Sequence, residues 1–186
     1  MKQILKNAGV LLAVTLVAAV GLSFVYQLTK EPIARAELQA KAEAYTAVYA
    51  DAVFANVEDA DAVLQAYNAT LPSGTAVKEI LAANNAGGAH MGYVLSVTAT
   101  GYAGAVEIAL GIEKSGVVVG YAVLSHNETP GFGANCENAD VRQQFIGITS
   151  ADEIDGITGA TYTTNALKSE TQAAIDLVKQ LEGGGK

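Results

Sequence analysis

Four threonines and two glycines share the short run Asp155-Gly156-Ile157-Thr158-Gly159-Ala160-Thr161-Tyr162-Thr163-Thr164-Asn165. A threonine hydroxyl can donate a hydrogen bond to a phosphate. The glycines let the backbone turn and approach a ligand closely. An apolar-periodic segment comes next, and Thr163, Thr164 or Asn165 is placed to cap the helix it predicts. A helix start presents free N–H groups and the positive end of the dipole, which suits an anion. The same features also make an ordinary capped helix start.

A second stretch, His126-Asn127-Glu128-Thr129-Pro130-Gly131-Phe132-Gly133, is a loop by composition. Pro130-Gly131 predicts a type II turn with the glycine at positive φ. Two glycines around Phe132 let the backbone lie against a planar ligand, and Glu128 adds a charge. A plain surface turn has this composition too. No pairing of a nucleophile with a base marks a catalytic centre, so no catalytic residue is assigned. Cys136 is the only cysteine and reads as a small, partly buried residue. His90 and His126 lack the spacing of a zinc site, and no metal is expected.

Elements must hold these two stretches together. The chain has 186 residues and a net charge of −8, enough length for one domain with a core. After Lys30, eight basic residues face nineteen acidic ones, which argues against nucleic acid as a partner. From Asn7 to Tyr26 there is no charge, and about 20 apolar residues cross a bilayer. Residues 7–29 are therefore expected to be a transmembrane helix in contact with membrane lipid. Lys2 and Lys6 place residues 1–6 in the cytoplasm and residues 30–186 outside it. A cleaved signal peptide is the competing reading, but its apolar core is shorter and ends in small residues. Here the run ends in Phe24-Val25-Tyr26-Gln27.

Beyond Pro32, residues Ala34–Tyr49 have a helical pattern, with Leu38, Ala42, Tyr45, Val48 and Tyr49 near one face. Asp59–Tyr67 reads as a short helix. The period then changes to two. Strands are expected over Val77–Ala83, Met91–Thr100, Ala105–Ile112 and Val117–Leu124, with a hairpin turn at Glu113–Gly116. Short connections make the sheet antiparallel. Asn138–Phe145 is expected as a short helix with Phe145 and Ile146 inward, and Thr163–Leu181 as a closing helix before a frayed Gly183–Lys186 tail. The fold class is α+β, an antiparallel sheet flanked by helices behind a single membrane helix.

The run Asp155-x-x-Thr158-Gly159-Ala160-Thr161 resembles the recognition sequence at which flavin transferases esterify FMN to threonine. Glu128-Thr129-Pro130-Gly131 followed by a large apolar residue and Gly133 resembles the second hallmark of the same family. The chain is thereby similar to the G subunits of the Rnf ion-translocating electron-transport complex, and to the related C subunits of the sodium-pumping NADH:quinone reductase. The resemblance implies covalent FMN on Thr161, with Asp155, Thr158, Gly159 and Ala160 completing the attachment motif. It implies flavin contacts from Glu128, Thr129, Gly131, Phe132 and Gly133. Phe132 stands where most relatives have leucine. Arg142 is a further candidate, since a basic residue after the loop often lies near the flavin in the family.

The function this resemblance implies is that of an electron-carrying subunit with no activity of its own. Its partners would be the other membrane and peripheral subunits of the complex and, during maturation, the flavin transferase. Such a complex couples electron transfer between ferredoxin and NAD to movement of sodium or protons. The alternatives are the reductase's flavinylated subunit, another extracytoplasmic flavin carrier, or a membrane-anchored binding domain with no redox role.

Overall fold

A computed structural model describes residues 2–183. Of the tail expected at Gly183–Lys186, Gly183 ends the last helix and residues 184–186 lie outside the described residues. The chain divides into two compact units between Ala40 and Lys41. The first is the part of helix α1 (Lys2–Val48) up to Ala40; the helix runs on through Pro32 and takes in both the expected membrane helix and the helical pattern beyond it. It is apolar and long enough to cross a membrane, with none of its most apolar window buried in protein. The last two turns of α1 belong to the second unit.

That unit is built on a five-stranded meander: β1 (Val53–Asn56), β2 (Ala76–Asn84), β3 (His90–Thr100), β4 (Ala105–Glu113) and β5 (Val118–Ser125). Each strand pairs antiparallel with the one before it, in the order β1-β2-β3-β4-β5. The four longer strands coincide with the period-two stretches. Strand β1 was missed because four residues on a sheet edge carry too little alternation to register. Helix α2 (Ala60–Asn68) links β1 to β2.

The two faces of the sheet are covered differently. Val77, Ile80, Leu95, Val97, Ile108, Leu110 and Ile112 face the main core, beneath α4 (Thr161–Gly183). Ala166, Leu167, Ala174, Leu177 and Val178 form the buried stripe of α4, as the helical period predicts. Burying each large aliphatic side chain contributes about 1.5–3 kcal/mol. The opposite face, with Ala83, Val94 and Ala109, receives Tyr45, Val48 and Tyr49 from the end of α1. Leu38 and Ala42, placed on that stripe by their spacing, are exposed.

Two glycines explain how the helix end lies so close. A Cβ at Gly111 or Gly120, paired across β4 and β5, would collide with the Val48 carbonyl. Tyr45 Oη also donates to Glu79 Oε2 at 2.7 Å, and Lys41 pairs with the same carboxylate. Burial alone would raise the Glu79 pKa, but Lys41 and Tyr45 outweigh it and hold the carboxyl below its usual value.

Helix α3 (Ala139–Gln143) is shorter than expected, and a 3₁₀ turn over Gly133–Glu137 precedes it. Phe145 is fully buried and stacks on Tyr121 at 4.0 Å between centroids. Ile146, expected inward beside it, is 41% exposed. The chain has left α3 by then and turns at Gly147, so the helical phase that pointed Ile146 inward no longer holds.

Candidate functional site

The two chemistry-bearing stretches meet across a cavity of about 500 Å³. Thr161, Gly159 and Ala160 form one wall, and Thr129, Phe132 and Gly133 the other. The volume falls in the range of cofactor sites. Thr161 is exposed and is the first residue of α4. The helix therefore begins two residues before its expected start. Thr164 N–H donates to Ala160 O at 2.9 Å, so the N–H groups of Thr161, Tyr162 and Thr163 precede the first helical bond. The expected caps do other work. Thr164 Oγ1 accepts from Ile157 N–H at 3.0 Å, folding the loop before Thr161 back on the helix. Gln144 braces that loop at Gly156, whose N–H it accepts at 3.0 Å.

The facing loop is a type II turn, as its composition predicts. Phe132 N–H donates to Thr129 O at 3.1 Å, and Gly131 has φ +81°. The Phe132 ring lies against Gly159, where an added Cβ would be 3.3 Å from Cδ1. A larger residue at Gly159 would also be strained, because its φ is +79°.

Glu128 ties the cavity together. Its side chain is buried. Oε1 accepts from the N–H groups of Tyr102 at 2.9 Å and Ala103 at 3.0 Å. Oε2 accepts from Thr163 Oγ1 at 2.6 Å. One carboxylate thus joins the β3–β4 connection, its own loop and the first turn of α4. A Cβ at Gly101 would sit 2.6 Å from Oε1, and one at Gly133 would collide with Oε2. His126 supports the arrangement: its Nδ1 accepts from Glu128 N–H at 3.1 Å, leaving Nε2 to donate to Glu137 at 3.0 Å.

Of the residues singled out in the sequence, Glu128, Thr129, Phe132, Gly133, Gly159, Ala160 and Thr161 line the cavity. Gly131, Asp155 and Thr158 do not line it, and Arg142 is exposed on α3. Sequence reasoning missed Tyr102 and Tyr162, which complete the rim. Tyr162 comes directly after Thr161. Tyr102 lies between Gly101 and Gly104 in a connection that carried no motif signal.

Two buried groups stand apart from the cavity. Burial raises the Cys136 thiol to about 11, leaving it protonated and unreactive at neutral pH. Glu170 of α4 is fully buried, and neither carboxyl oxygen has a hydrogen-bond partner among the described residues. Burial pushes its pKa well above the carboxylate range.

An antiparallel sheet under one long helix carries a glycine-rich, aromatic-rimmed cavity of cofactor size at the helix start, the build of a cofactor-binding domain. A family model described as the FMN-binding domain matches residues 101–176, and one described as the RnfG N-terminal region matches residues 1–48. The G subunit of the ion-translocating oxidoreductase complex of Vibrio vulnificus is 30% identical over 197 residues, covering 96% of this chain and 91% of that one. The chain belongs to this family of G subunits.

The G subunit of the proton-translocating ferredoxin:NAD(+) oxidoreductase complex of Clostridium ljungdahlii is 32% identical over 103 residues, 50% of this chain and 56% of that one. With it and the Methanosarcina acetivorans relative, of which 54% is matched, the chain shares little more than half of the relative's length. Among solved structures, the C subunit of the Na(+)-translocating NADH-quinone reductase of Parabacteroides distasonis aligns with a TM-score of 0.46 at 17% identity, over 57% of this chain and 62% of that one.

Proposed function

We propose that the chain is the electron-carrying subunit of a membrane complex that couples electron transfer between ferredoxin and NAD to ion translocation. FMN is held as a phosphoester on Thr161. The observation that carries this reading is the placement of an exposed threonine hydroxyl at a helix start, on the wall of an aromatic-rimmed cavity, in an FMN-binding domain. The relatives in Clostridium ljungdahlii and Acetobacterium woodii are named for proton and Na(+) translocation respectively, so the family spans both ions.

The residues present fit FMN. Positive φ at Gly131 and Gly159 lets both loops turn without side chains entering the space between them. Thr161 offers the ester oxygen. The first N–H groups of α4 and the positive end of its dipole favour phosphate beside it. Phe132 presents an apolar face to a ring system. When bound, FMN supplies reversible one- and two-electron transfer, and the protein supplies position and electrostatics. Glu128 orients the two loops, and Gln144 and Thr164 fix the segment leading into Thr161.

The apolar stem anchors the domain on the extracytoplasmic side, where an ester keeps a cofactor that contacts alone could lose. The partners are the other subunits of the complex and the flavin transferase that loads Thr161. The match of residues 1–48 to the RnfG N-terminal region favours this assembly over the quinone reductase.

The test is peptide mass spectrometry on protein made with its flavin transferase. The Thr161 peptide should be heavier by one FMN less one water. Thr161→Ala should abolish the in-gel flavin fluorescence, and Thr161→Ser should keep part of it. An unmodified Thr161 peptide from fully active complex would overturn the assignment. For sidedness, protease added outside permeable-walled cells should cleave the domain.

A further inference from the structure

We propose that Tyr102 and Tyr162 are the residues that hold the isoalloxazine ring still, so that the tethered flavin is seated on the protein and does not swing in solvent. The inference rests on reading the cavity as an FMN site, and it concerns two side chains that neither flavin motif contains.

Large apolar side chains are costly to leave in water, and a cluster of them marks a binding site. Among the described residues after Ala40, the exposed large hydrophobic side chains are Val53, Tyr102, Phe132, Ile146 and Tyr162. Three of these five rim one cavity: Tyr102 at 70% exposure, Phe132 at 54% and Tyr162 at 67%. All three are aromatic, which suits a planar, π-rich ligand more than an aliphatic one. Tyr102 and Tyr162 have ring centroids 6.1 Å apart and planes inclined by 44°. Both residues line the cavity.

The backbone that carries each ring is tied to Glu128. The Tyr102 backbone N–H is fixed by Glu128, whose other oxygen takes the Thr163 hydroxyl, one residue from Tyr162. The carboxylate therefore sets the spacing of the two tyrosines. Tyr162 is the immediate neighbour of Thr161, so a group esterified there lies within reach of its ring.

A phenol in contact with a flavin has a signature that activity does not report. The photoexcited flavin takes one electron from the phenol and regains its ground state when that electron returns, with no net reaction. A seated flavin is therefore dim, and it rotates with the domain.

The experiment uses the full chain in detergent, loaded by its flavin transferase, with intact mass measured on every sample. Emission yield and anisotropy decay are recorded before and after unfolding in guanidinium. Native wild type should be several-fold dimmer than the unfolded chain, with slow depolarisation. Tyr102→Leu and Tyr162→Leu should each brighten the native flavin at unchanged flavin mass, and the double variant should also depolarise fast. Tyr102→Phe should brighten the flavin yet keep depolarisation slow, because the ring remains while the phenol donor is gone. Both side chains are exposed, and unchanged thermal melting checks the fold. A bright, fast-rotating wild-type flavin, or a double variant as dim and slow as wild type at full flavin mass, overturns the proposal.

If the mass shows no FMN on Thr161, the attachment fails by itself, and free FMN titrated into the same chains decides the tyrosines. Saturable quenching, weakened about tenfold or more in the double variant, supports them. Equal affinity overturns them.

Discussion

Two glycines two residues apart serve the cavity by different physics, and substitution separates them. Gly131 has φ +81° and no atom within 4 Å of an added Cβ. Gly131→Val is therefore a pure backbone-strain change, costing about 1–3 kcal/mol. Gly133 has no positive φ, but its Cβ would strike the Glu128 carboxylate. Gly133→Ala should break the Glu128–Thr163 bond and lower flavin loading along with stability, whereas Gly131→Val should lower stability first. Urea midpoints and flavin mass, read together, tell the two apart. Glu128 itself gives a graded series. Glu128→Ala leaves the Tyr102 and Ala103 N–H groups and the Thr163 hydroxyl unpaired, a loss of about 3 kcal/mol or more. Glu128→Gln can keep an oxygen on the two N–H groups and turn its amide to Thr163, so the loss should be about 1 kcal/mol. Equal losses in the two variants would show that the carboxylate is not the tie described.

At the level of elements, the contact between α1 and the sheet is made backbone to backbone. The Val48 carbonyl sits over Gly111 and Gly120 with no space for a methyl group. Gly120→Ala should cost about 1–3 kcal/mol through overpacking, measured as a lowered urea midpoint. Gly88→Ala serves as the control, since its loop is open and only its positive φ is strained. This contact also shows where reading the sequence stops. Period-two stretches located β2 to β5, because alternation reports burial on one face. The stripe from Ala166 to Val178 located α4 for the corresponding reason at period 3.6. Neither periodicity reports which backbone will lie on a glycine, so Gly111 and Gly120 read only as weak points in strands. The candidate site divides in the same way. The segments around Thr161 and Phe132 were legible because turns and caps have local chemistry. Tyr102 was not, because its place in the cavity depends on Glu128 reaching it from 26 residues away. Glu170 was hidden for a related reason: it lies on the buried face of α4 between apolar neighbours, where a helical pattern leads one to expect a solvated carboxylate.

Taken whole, the domain carries a pH dependence that its acidic surface would not suggest. Folded Glu170 keeps its proton well above the ordinary carboxylate value of 4.5, whereas the unfolded chain releases it near that value. Stability from this group is therefore complete below about pH 4.5 and falls as pH rises towards the raised folded value. Glu170→Met should flatten that decline and raise the urea midpoint more at pH 8 than at pH 5. A variant whose gain is the same at both pH values would show that Glu170 does not titrate on unfolding. The tie made by Glu128 has a consequence for biosynthesis. It gathers the β3–β4 connection, the turn at Thr129–Phe132 and the first turn of α4, and the ribosome makes α4 last of the three. A nascent chain can complete its meander sheet and still have no cavity, because one wall has not been synthesised. The cavity is therefore the last feature of the domain to form, and its presence reports that the final helix was made and docked.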